Sequence, residues 1–146
     1  MNDESKDAQA SPDVHQTDWH LQILVKIVND AEERFSLPIT ILVGGTLVSG
    51  ALIGVKEYFD AFPSRVAGMF PDDPEASASA REMFSMPEDL LAAPAGDALP
   101  QYIHIRDAKF YTGPGNPVVA GDGVLWRGRI AHVGGFNFGS LAPLPK

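Results

Sequence analysis

The side chains best suited to contact chemistry sit close together in LWRGRIAHVGGFNFG, Leu125 to Gly139. This stretch holds a Trp, two Phe, two Arg and no acidic residue, in a chain whose formal net charge is −8. Arg127 and Arg129 are two apart, so an extended strand puts them on one face and Trp126 on the other. Guanidinium groups in that arrangement suit carboxylates or phosphates. RNA recognition on a sheet adds exposed aromatics that stack bases and a broad basic surface. Here the Trp points away from the arginines, and an acidic chain repels phosphate backbones at long range. The expectation is that Trp126 anchors the core while Arg127 and Arg129 face outward. With Arg106 and Lys109 they form a candidate interaction face for acidic protein segments.

Other chemistry is sparse. There is no cysteine, which excludes disulfides, a thiolate nucleophile and Cys-ligated metal. No phosphate-cradling glycine loop, dinucleotide fingerprint or GxSxG elbow occurs. His15 and His20 are five apart and do not share a helix face, while His104 and His132 fall on expected strands with no placed carboxylate. The adjacent acids Glu32-Glu33, Asp72-Asp73 and Glu88-Asp89 lie in solvated segments, not across a cleft. No catalytic, cofactor-binding or metal-binding residue is therefore expected, and the reading is of a non-enzymatic protein.

The elements that must position the basic face can be read from periodicity. Residues 1–16 are polar and aperiodic, and are expected to be a disordered tail. Thr17 or Asp18 can cap a helix over about 18–35, with Leu21, Leu24, Ile27, Val28, Ala31 and Phe35 on its apolar stripe and Gln22, Lys26, Asn29 and Glu33 opposite. In LPITILVGGTLVSGALIG, Gly44-Gly45 marks a two-residue hairpin turn, and Gly50 a bend or bulge in the return strand. VKEYFDAF, residues 55–62, reads as helix, which Pro63 should break or kink. Asp73-Pro74-Glu75 starts a short helix over roughly 74–84 inside an acidic, Pro- and Ala-rich insert spanning 63–100. In YIHIRDAKFYTG, Ala108 and Phe110 are out of phase with Ile103 and Ile105, and a bulge near Asp107 restores the register. VLWRGRIAHV is the next strand, Gly134-Gly135 a second turn, and FNFGSL the last strand.

A chain of 146 residues is long enough for one self-supporting core. The order predicts an α+β fold: an N-terminal amphipathic helix on a small bent antiparallel sheet or barrel, with a helical insert. The layout resembles the Sm-like fold, in which a helix precedes the strands and a hydrophobic–Arg–Gly segment comes late. The domain is expected to span 17–141, with 142–146 a tail. Charge is uneven: residues 1–100 hold 6 basic and 17 acidic side chains, and residues 101–146 hold 5 and 2. Opposite patches of this kind favour attraction between copies or to a partner. The N-terminus has no basic region followed by an apolar run, and no apolar run approaches the roughly 20 residues of a membrane span. A soluble cytoplasmic protein is expected.

Three motifs in order, VGGTLVSGALIGVKEYFDAF, YIHIRDAKFYTGPGNP and LWRGRIAHVGGFNFGSL, resemble the gas vesicle accessory protein U family (GvpU) over about residues 19–141. Pro63 departs from the unbroken acidic helix expected after KEYF. The resemblance implies a cytoplasmic, gas vesicle-associated factor that contacts shell or accessory proteins, or itself, to aid vesicle assembly, organisation or clustering. It implies no cofactor and no catalytic residue. The competing class is an Sm-like RNA-binding module.

Overall fold

The computed structural model describes residues 16–91, 98–113, 118 and 122–141. The expected tails at 1–16 and 142–146, the loop GPGNP and part of the insert lie wholly or largely outside the described residues. Helix α1 runs Trp19–Asp30 and opens as its sequence requires: the Asp18 carboxylate accepts from the backbone N–H groups of His20 and Leu21. Strands β1 (Leu37–Val43) and β2 (Thr46–Ile53) form the expected hairpin, with Val43 opposite Thr46 and positive φ at both Gly44 and Gly45. Then come α2 (Val55–Ala67), α3 (Pro74–Met83), β3 (Tyr102–Tyr111), β4 (Val124–Arg129) and β5 (Val133–Phe138).

The strands make one antiparallel sheet in the order β4-β3-β2-β1-β5. It stays open, with β4 and β5 at its two edges, so it is a bent sheet and not a closed barrel. A 3-10 turn, Ile130–His132, carries the chain from one edge strand to the other. Gly134 and Gly135 therefore lie inside β5 and make no turn, because β4 and β5 are not hairpin partners. The bend has visible causes. Pairing of β2 with β3 shifts between Ser49 and Ala51, and that of β3 with β4 between Ile105 and Ala108. Asp107, at φ 55°, is the extra residue of this bulge, and it returns Ala108 to the face that Ile103 and Ile105 share.

The two faces of the sheet are covered by different helices. On one, Leu21, Val25 and Val28 of α1 pack with Ile39, Ile41, Val48, Leu52, Ile103, Ile105, Ala108 and Ile130, and Trp126 closes the side of this core. The helical stripe is narrower than its periodicity suggests. Ile27 and Phe35 are exposed, and Gln22, expected on the polar face, is buried with its amide donating to the Pro100 carbonyl at 2.9 Å. The chain leaves helical geometry at Ala31, so residues 31–35 are not helical. On the opposite face, α2 packs against β3 and β4, placing Tyr58 over His104. Pro63 does not break α2; it sits inside the helix and is buried. Packing of α2 against the sheet and α3 offsets the roughly 3 kcal/mol that an interior proline costs. The α3 start matches expectation, with Asp73 accepting from Ala76 N–H and Pro74 at the first turn.

Candidate interaction site on the β4 edge

The site begins with the register of β3 against β4. Tyr102 lies opposite Arg129, and His104 opposite Arg127, so the four side chains share the face that α2 partly covers. Trp126 goes to the other face because it is one residue out of step, and its indole lies across Gly128, where any Cβ would collide with the ring. Glycine at that position is what lets the indole fold flat along its own strand and leaves the arginine face undisturbed.

Arg127 is held at two points. Its Nε donates to Nε2 of His104 at 3.2 Å, and its guanidinium carbon lies 3.8 Å from the centre of the Tyr102 ring. The ring supplies cation–π attraction, which is strongest where water is partly excluded. Phe59 of α2 stands further off, at 5.9 Å. His104 is only 2% exposed, and Tyr58 stacks on it with ring centres 4.7 Å apart. Burial, helped by the adjacent Arg127 charge, lowers the His104 pKa to about 3. The imidazole is therefore neutral at ordinary pH. Accepting from Arg127 at Nε2 puts its proton on Nδ1, and that atom has no partner among the described residues. Burial likewise raises the Tyr58 phenol, with Arg127 opposing the shift. The arrangement holds Arg127 between a neutral imidazole and the Tyr102 ring. It does one physical thing: it fixes the orientation of a cation.

The four basic residues read from the sequence meet different fates. Arg127 and Arg129 are both exposed on β4. Neither is ion-paired to a carboxylate among the described residues, whereas Arg34, Arg65 and Arg106 all are. Arg106 bridges Glu57 of α2 at 3.4 Å, Asp107 at 3.6 Å and the Ser36 hydroxyl at 3.3 Å, so its charge is spent within the fold. Lys109 is half-buried in a separate groove with Asp107 and Asp122. The structure thus brings Arg127 and Arg129 together and holds Arg106 apart in an internal ion-pair network. The partners that sequence reasoning missed are His104 and Tyr102. The alternation of β3 put them on one face, but only the β3–β4 register sets them opposite the arginines. His132 is exposed in the turn after β4 and is not among the rings or hydrogen-bond partners of His104.

Among the described residues, no group of three His, Cys, Asp or Glu side chains is placed to hold a metal, and no helix is long and apolar enough to cross a membrane. Comparison with known families gives a match over residues 18–141 to the family described as gas vesicle protein GvpU-like. None of the curated proteins and none of the solved structures matches the chain.

Proposed function

Since the chain belongs to the GvpU-like family of gas vesicle proteins, we propose that it is a non-enzymatic accessory factor acting by protein–protein contact. It binds vesicle shell or accessory proteins, its own copies, or both, and so aids assembly, organisation or clustering of vesicles in the cytoplasm. The contact surface is the Arg127–Arg129 side of β4; Lys109 lies in its separate groove, and Arg106 serves the fold. One observation supports this above the others: in a chain of net charge −8, Arg127 is exposed, held by His104 and Tyr102, and without a carboxylate among the described residues. A solubilising arginine needs no such clamp. Exposed ion pairs contribute only about 0–1 kcal/mol each, so the contact gains strength from many copies on one vesicle. The RNA-binding reading has less support. Trp126 is turned into the core and Arg127 occupies one face of the Tyr102 ring on β3, which leaves the arginine face without the row of free aromatic platforms that stacks successive bases.

Flotation tests the proposal. Protein mixed with purified vesicles is expected to rise with them at low salt and to stay below at high salt. The double reversal Arg127→Glu/Arg129→Glu should abolish co-flotation while the circular dichroism spectrum is kept. Undiminished co-flotation of that folded variant sinks the proposal.

A further inference from the structure

β4 is an edge strand: β3 pairs with one side of it and no strand among the described residues pairs with the other. An edge presents a row of unpaired N–H and C=O groups that template another strand. Protein edges are commonly blunted by proline, by a bulge, by a covering segment or by charged side chains, which turn away every strand except one of opposite charge. β4 has no proline, and its one register shift lies toward Val124, so pairing from Trp126 to Arg129 is unbroken. Its charges are all of one sign, with Arg127 and Arg129 on the same face. Residues two apart on a strand lie about 6.4–6.8 Å from one another. That is also the spacing of alternate side chains on any strand laid alongside, where opposite charges directly across attract.

The guanidinium of Arg127 is held from the β3 side, where both His104 and Tyr102 lie. Its Nε is committed to His104 and its central carbon lies over the Tyr102 ring, while its two terminal nitrogens have no partner among the described residues. Those nitrogens are the end-on fork that receives both oxygens of a carboxylate. The geometry points to β4 as an acceptor for an extended acidic segment of a partner, which adds as a sixth strand and sets carboxylates two residues apart on Arg127 and Arg129. This rests on the reading that the Arg127–Arg129 side is the contact surface. It adds the conformation of the partner and the main-chain part of recognition. The main chain supplies strength without sequence preference, and the two arginines select an acid–x–acid segment and fix its register.

The test uses the full chain and three synthetic ten-residue peptides. One alternates Asp with Thr, the second holds the same residues with all acids contiguous, and the third is the alternating peptide N-methylated on the amides of one edge. The alternating peptide should bind at low salt and slow hydrogen exchange of the β4 amides. The N-methylated peptide should bind about tenfold or more weakly, since several main-chain hydrogen bonds are lost, and the contiguous-acid peptide should also bind more weakly. Arg127→Gln should weaken the alternating peptide by about tenfold or more, as expected for losing a charge-assisted pair. Arg127→Lys should fall between, because it keeps the charge but loses the fork. Arg129→Gln, which disturbs no internal partner, serves if the Arg127 variants fold poorly. Equal binding of the alternating and N-methylated peptides overturns strand addition but leaves a charge-only contact, and with it the accessory role, intact. Absence of any binding by the alternating peptide at low salt overturns the inference as well. Undiminished flotation of the Arg127→Glu/Arg129→Glu protein is the separate result that removes the underlying contact surface.

Discussion

His104 is a base buried to serve as an acceptor, and this has a consequence for stability. Its folded pKa of about 3 lies below the ordinary value of 6.5. Between those values the unfolded chain binds a proton that the folded chain refuses. Stability contributed by this site is therefore present above the unfolded pKa and is lost as pH falls toward the folded one. From pH 7 to pH 5 the loss is about 2 kcal/mol. His104→Gln replaces the nitrogen acceptor with an amide oxygen and cannot titrate, so its urea midpoint should fall less over the same interval. Equal losses in the two proteins would show that His104 does not carry this dependence. Of the site, the sequence made legible the outward pair Arg127 and Arg129 and the inward Trp126, because strand alternation alone decides those. It could not reveal the clamp on Arg127. That depends on which β3 residue stands opposite it, and the bulge at Asp107 and the long β3–β4 connection both intervene. Nor could it reveal that Arg106 is neutralised, since Glu57 is 49 residues away on α2.

At the scale of elements, local signals were read well where one or two residues dictate the backbone. The Gly44-Gly45 turn, the Asp18 and Asp73 caps and the phase change at Asp107 are all of this kind. The signals misread are those in which tertiary packing outweighs propensity. Pro63 continues α2, and Gly134-Gly135 stay extended because β1 pairs with β5. Asn29 is another such case: on the nominal polar face of α1, it accepts from the Val55 N–H and so caps α2 from a different element. Gly50 is where element geometry is least forgiving. A Cβ there would stand 2.6 Å from the Arg106 carbonyl oxygen and 2.7 Å from a methyl of Ile105. Backbone cannot yield as a side-chain tip can. Gly50→Ala is expected to destabilise the protein by about 1–3 kcal/mol, read as a lower urea midpoint at unchanged slope. A midpoint within error of the parent would contradict a tight β2–β3 approach at Gly50.

At the scale of the molecule, three features combine: an acidic chain, an open sheet and one edge on which two arginines are left unpaired by carboxylates among the described residues. The charge asymmetry and the α+β class were both legible from composition and periodicity. The open edge was not, because whether a small bent sheet closes depends on strand order and on where the chain crosses from β4 to β5. A protein that works by weak, repeated charge contacts should respond to ionic strength in proportion to the charges it uses. The most direct test of the account is the vesicle-binding isotherm of the native protein and of Arg127→Gln, each measured across a salt series. Native affinity should fall steadily with added salt, and the variant should bind more weakly at low salt with a shallower dependence. Superimposable isotherms from two equally folded proteins would contradict the claim that Arg127, held by His104 and Tyr102, is the point of contact.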